Sequence, residues 1–130
     1  MNYFFDEHFS PKLIRGLGSI ASHDGDNAVP LVDKFQRGIS DEEYVNRLSA
    51  EGMWAIATLD SHVTRVPQIV AAWKSAGLIV LMFRNSWADL DFWTMAWRLI
   101  KIWPRLRAIV NEAQPGSVIL VPISGSPSFT

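Results

Sequence analysis

Apolar residues in this chain fall into two patterns. Short unbroken runs (NYFF near the start, then WAIATL, LIVLMF and VILVP) have the length and composition of strands buried on both faces. Between them lie stretches in which apolar positions return every three or four residues, the period of a helix with one buried face. Ser10 and Pro11 supply the cap and first residue of a helix running to about Leu17. SDEEYVNRLSAEG is a second helix, stopped by Gly52, and VPQIVAAWKSAG is a third that begins near Pro67. ADLDFWTMAWRLIKIWPRLRAIVNEAQPG is a long helix that Pro104 should kink. AVPLVDKF reads as a weaker strand, interrupted by Pro30 and so placed near a sheet edge. HDGDN is a turn.

Strands that alternate with helices, and that read as apolar runs, predict an α/β fold. Its centre is a mainly parallel sheet of four to five strands flanked by helices. In such sheets chemistry collects beyond the carboxyl ends of the strands, where the strand order reverses. Asp6, Glu7 and His8 follow the first strand directly, and Asp60, Ser61 and His62 follow WAIATL. A strand that buries its apolar faces has no packing reason to end in two carboxylates and an imidazole.

The second helix adds a third acidic group. Ser40 and Glu43 have the spacing of a capping box, which gives Glu43 a structural role. Asp41, Tyr44, Val45 and Leu48 share one helical face, so Asp41 heads the stripe that packs on the sheet, with Glu42 just off it. Carboxylates gathered at one edge repel one another, and a divalent cation removes the conflict. Hard oxygen donors favour Mg²⁺ or Mn²⁺, which can activate water and stabilise phosphoryl transfer. Taken singly, each acid is more often a solvated turn or a helix cap. Their convergence on one edge carries the metal reading.

Composition narrows the classes. At 130 residues, 48% hydrophobic and 19% charged, the chain is expected to form one folded unit over residues 1–123 with a flexible tail at 124–130. A net charge of −1 removes generic attraction to nucleic acid, so any such contact rests on a local basic face. The absence of cysteine excludes disulfides and thiolate metal sites. No apolar run approaches the ~20 residues of a membrane helix, and the N-terminus lacks the features of a secretion signal. The expectation is a soluble cytoplasmic protein. Five of six tryptophans lie from Trp73 onward, which predicts a bulky packing layer or an interface there. Arg98, Lys101 and Arg105 share a face of the long helix: they either track a nucleic-acid backbone or, the commoner case, form a solvated face. Arg65, five residues after Asp60, is the better candidate for holding a phosphate.

These residues resemble the PIN-like ribonucleases, in particular the compact VapC-type toxins of toxin–antitoxin modules. FFDEHFSPKL is similar to the family's opening strand with its first metal-binding acid, here Asp6. DKFQRGISDEEYVNRLSAEGMWAIATLD is similar to its loop, acidic helix and acid-ended strand. The second acid is then Asp41, with Glu42 as its alternative, and the third is Asp60. SHVTRVPQIVAAWKSAGLIVLMF resembles the Arg-x-Pro helix and the strand after it. The resemblance implies a three-layer PIN-like domain and metal-dependent endonucleolytic cleavage of RNA. Asp6, Asp41 and Asp60 would be catalytic and metal-binding, Arg65 an RNA contact, and His8 and His62 either RNA contacts or surface residues. It also implies a cognate antitoxin and a homodimer. Two departures stand out: a fourth acid has no clear counterpart beyond Asp89 or Asp91, and Gln68 and Ile69 occupy positions where such domains often carry an acid. They leave open a PIN-like binding module that has lost turnover. A receiver-type phosphoacceptor domain is disfavoured, because it needs a lysine after the last strand and VILVPISG has none.

Overall fold

The computed structural model describes residues 1–59 and 67–130, with side chains described up to 59 and from 71 onward. Strand β1 (Asn2–Phe5) leads into α1 (Pro11–Ala21), and then come β2 (Asn27–Pro30), the single turn α2 (Leu31–Lys34), α3 (Asp41–Glu51) and β3 (Trp54–Leu59). After these come α4 (Pro67–Ser75), β4 (Ile79–Phe83), α5 (Phe92–Glu112), β5 (Val118–Val121) and β6 (Ser128–Phe129).

The sheet order is β2-β1-β3-β4-β5-β6, parallel throughout except for the antiparallel β6. Strand alternation sorts the core into two layers. Tyr3 and Phe5 of β1, with Ala55, Ala57 and Leu59 of β3, face α1 and α5, where they meet Leu13, Leu17, Leu99, Trp103 and Leu106. Phe4, Trp54 and Ile56 face the other way, onto Tyr44, Val45, Leu48 and Trp73 of α3 and α4. All six residues of β3 are buried, as a central strand covered on both faces requires. The chain leaves β1 in one direction to form β2 and returns on its other side as β3, so the strand order reverses between β1 and β3. The mixed α/β sheet flanked by helices is the predicted architecture, with six strands where four to five were expected, β6 being the short addition at the edge.

The structure corrects several local expectations. Helix α1 runs a full turn beyond Leu17, to Ala21. In AVPLVDKF the edge position is right, but the strand stops at Pro30 and LVDK folds as a helical turn. Ser40 does cap α3, its Oγ accepting from the Glu43 N–H at 3.2 Å. The Glu43 carboxylate, however, pairs forward with Arg47 at 3.1 Å, so the reciprocal half of the capping box is missing. The long helix begins at Phe92, capped by Asp91, after a 3₁₀ segment at Asn85–Asp89. It passes through Pro104 as one helix. Pro104 and Ile100, whose carbonyl loses its partner, both lie on the exposed side, where water can replace the bond. Within the expected tail, Ser128 and Phe129 pair with Leu120 and Ile119 of β5 as an edge strand.

Gly18 is required by close packing. A Cβ there would sit 2.5 Å from the Ala28 carbonyl oxygen, so only glycine lets α1 approach β2 this closely. Asp26, buried at the start of β2, is held by Arg107 of α5 at 2.8 Å, which ties the helix to the sheet edge.

Candidate functional site

Asp6 lies one residue past β1, where its N–H extends the parallel ladder by donating to the Ala57 carbonyl at 3.2 Å. Its side chain is 3% exposed and has two fixed partners. The His8 N–H donates to Oδ1 at 3.0 Å, and the Thr58 hydroxyl donates to Oδ2 at 2.5 Å. The register explains the second bond: Phe5 pairs with Ala57, so the next residues, Asp6 and Thr58, are neighbours on the same side of the sheet. That side is the α3 side. These two bonds, one to each oxygen, fix the orientation of the carboxylate.

The same parity brings α3 into the site. Tyr44, 1% exposed, packs against Phe4 with ring centroids 5.0 Å apart. Burial, then the charges of Asp41 and Asp6, raise the Tyr44 hydroxyl far above the ordinary phenol range. A hydrogen-bonding interaction with Asp41 and the charge of Glu7 add to this. The phenol is therefore a permanently neutral donor flanked by acids. Among the described residues no acceptor meets its oxygen with full hydrogen-bond geometry.

The structure thus brings Asp6 and Asp41 around one buried hydroxyl, with Glu7 near it. Glu42 is exposed on α3 outside the buried stripe, and the His8 side chain is exposed. Asp60, His62 and Arg65 lie outside the described residues. Among the described residues no three His, Asp or Glu side chains gather closely enough to enclose an ion. Asp91, one candidate for a fourth acid, is occupied as the cap of α5, where its bond from the Thr94 N–H holds its carboxyl below the usual range.

A pocket of about 140 Å³ opens beside Asp6, lined by Glu7, Phe9, Pro30, Leu31 and Arg37 among others. Arg37 is exposed and among the described residues forms no ion pair. It is placed to hold an anion next to the acids. Beneath the loop, aromatic edge contacts run from Phe5 to Phe9, Phe83 and Trp87, with centroids 5.1–5.3 Å apart, and give the acidic rim a rigid base.

Sequence reasoning missed three of these groups. Thr58 carried one signal, a hydroxyl inside the otherwise apolar run WAIATL. Tyr44 was placed on the packing stripe but not in the site. Nothing in the sequence around Arg37 distinguishes it from a solvated loop residue.

A mainly parallel α/β sheet with an oriented carboxylate at the switch point between β1 and β3 defines a class of fold in which ligands meet the carboxyl edge. The family model described as a PIN like domain matches residues 1–85, and the chain belongs to that family. The matched stretch contains β1 through β4 and every acid of the candidate site. No curated protein and no solved structure matches the chain.

Proposed function

We infer from membership of the PIN-like family that this chain acts as a nuclease. We propose that this chain is a metal-dependent endoribonuclease that cleaves RNA phosphodiester bonds, acting as the toxin of a type II toxin–antitoxin module in the cytoplasm. The observation that carries the reading is Asp6: a buried carboxylate at a strand switch point, oriented by Thr58, whose charge acts together with that of Asp41 on the Tyr44 hydroxyl.

The donor set fits a hard divalent cation. Asp6 and Asp41 offer oxygens only, the hard donors that such a cation prefers, and the charges of both act on the neutral, buried Tyr44 hydroxyl. Asp6, Asp41 and Asp60 would hold Mg²⁺ or Mn²⁺, with Glu42 as the alternative on α3. When bound, the ion supplies positive charge against the phosphodiester and makes a water more acidic. The chain's own groups do the rest. Thr58 and the His8 N–H fix the Asp6 carboxylate, the buried Tyr44 hydroxyl stays neutral beside the acids, and Arg37 holds the strand at the rim. Arg65, His8 and His62 are the further RNA contacts proposed.

The partners proposed are a cognate antitoxin and a second copy of the chain. Trp93 is 78% exposed and Ile100 44%, and between α5 and α1 runs an apolar groove of about 170 Å³ that includes Leu17, Ile20 and Ala96. This is the surface such a partner would cover.

The test is cleavage of a mixed RNA pool with Mg²⁺ or Mn²⁺. Asp6→Asn and Asp60→Asn should each abolish cleavage while leaving the fold intact. Cleavage that survives in EDTA, or in both variants, defeats the proposal. Metal binding without cleavage of any RNA selects the alternative, a PIN-like binding module without turnover.

A further inference from the structure

Arg98, Lys101 and Arg105, more readily read in the sequence as a solvated helix face, line a pocket of about 220 Å³ between α5 and the segment after β5. Its other walls are Ile102, Ile123, Ser124 and Gly125. Three observations set this pocket apart from a charged surface. First, Arg98 is anchored: its Nη1 donates to the Ile123 carbonyl at 3.0 Å, while its Nε is buried without a hydrogen-bond partner. A buried guanidinium donor left open costs free energy unless a ligand meets it. Second, among the described residues no carboxylate pairs with any of the three cations, although Arg15, Lys34, Arg47 and Arg107 all have acidic partners. Third, two of the cations lie over the Trp97 ring. The Arg98 guanidinium lies 4.8 Å and the Lys101 ammonium 5.6 Å from its ring centroid.

We propose that this pocket binds a backbone phosphate of single-stranded RNA, on the strand flanking the one held at Asp6. The proposal rests on the ribonuclease reading for its ligand. The pocket sits past the carboxyl end of β5, on the same sheet edge as Asp6 but on the α5 side of the sheet, three strands away and so at least about 14 Å at the usual strand spacing. That distance suits a strand of a few nucleotides laid along the edge. Three cations converging on one small cavity suit a compact dianionic or monoanionic oxygen group, and the half-exposed Trp97 ring beside them offers a face on which a base can stack. Because the chain's net charge is −1, such a local site is what an RNA contact here requires.

The experiment is fluorescence anisotropy with a short fluorescein-labelled single-stranded RNA of mixed sequence, in EDTA so that nothing is cleaved. The Lys101→Gln/Arg105→Gln variant should bind at least about tenfold more weakly, and its salt dependence should flatten by roughly 0.7 in log–log slope for one lost phosphate contact. The charge-preserving Lys101→Arg/Arg105→Lys variant should restore both. Unchanged affinity and slope in the Gln variant overturn the proposal. So does displacement of side-chain NMR signals at Arg98 by inorganic phosphate alone with no effect of the variant on RNA binding, since the pocket would then take the free anion. Pocket-dependent RNA binding in a chain that never cleaves overturns the ribonuclease reading and leaves this one standing.

Discussion

Thr58 illustrates how much of the site hangs on a single hydroxyl. It is fully buried, and its proton goes to the Asp6 carboxylate. Thr58→Val keeps the shape and removes the donor, leaving one carboxylate oxygen facing a methyl group. Stability should fall by about 1–3 kcal/mol. If Asp6 holds the ion, the Mn²⁺ needed for half-maximal cleavage should rise roughly 10–100-fold, and Thr58→Ser should restore it. A Val variant with an unchanged Mn²⁺ requirement would show that Thr58 only packs. At the head of α3 two neighbouring roles separate in the same way. Ser40 makes the cap, so Ser40→Ala should cost about 1 kcal/mol in a denaturant melt. Glu43 makes only an exposed pair with Arg47, so Glu43→Ala should cost about 0.3 kcal/mol and leave turnover alone. Equal losses from the two would restore the full capping box.

At the scale of the element, α1 contains a controlled comparison. A Cβ at Gly16 would meet nothing within 4 Å, whereas one at Gly18 would strike the Ala28 carbonyl. Gly16→Ala should therefore stabilise the protein by about 0.5–1 kcal/mol through helix propensity. Gly18→Ala should destabilise it by about 1–3 kcal/mol as α1 is pushed off β2. The same sign for both in thermal melts would mean that α1 does not seat on β2 as described. Helix α5 carries the pH-sensitive cap. The Asp91 carboxyl is held below its ordinary range by the Thr94 N–H, so its contribution is full above the unfolded carboxylate pKa and lost as pH falls through the folded value. The Tm difference between wild type and Asp91→Ala should accordingly shrink on acidification. A difference that grows in acid would exclude the cap.

At the scale of the whole molecule, the uneven tryptophans divide in two. Trp54, Trp73, Trp87 and Trp103 are core residues, none more than 7% exposed, while Trp93 and Trp97 stand on the outer face of α5. Burial in the core cannot explain that pair. For Trp93 a self-associating or antitoxin-binding face can, and sedimentation at micromolar concentration should show a species larger than the monomer, reduced to the monomer by Trp93→Asp. A strict monomer at that concentration would retire the homodimer. No helix among the described residues is long and apolar enough to cross a membrane, so the exposed aromatics of α5 do not belong to a spanning segment.

The sequence by itself determined the order and type of the main elements, because buried strands must be apolar throughout and covering helices must be apolar on one face. It also pointed to Asp6 and Asp41, since acids directly after a buried strand and at the head of a packing stripe are local features. Tertiary structure alone decided the rest. That Thr58 orients Asp6 follows from the register between β1 and β3, more than fifty residues apart in sequence. Ser128 and Phe129 become a strand only because β5 offers them an edge. Arg98, Lys101 and Arg105 line a pocket on their exposed face because a carbonyl 25 residues further along anchors the first of them. Periodicity reports which face of an element is buried, but it contains no information about what that face will meet.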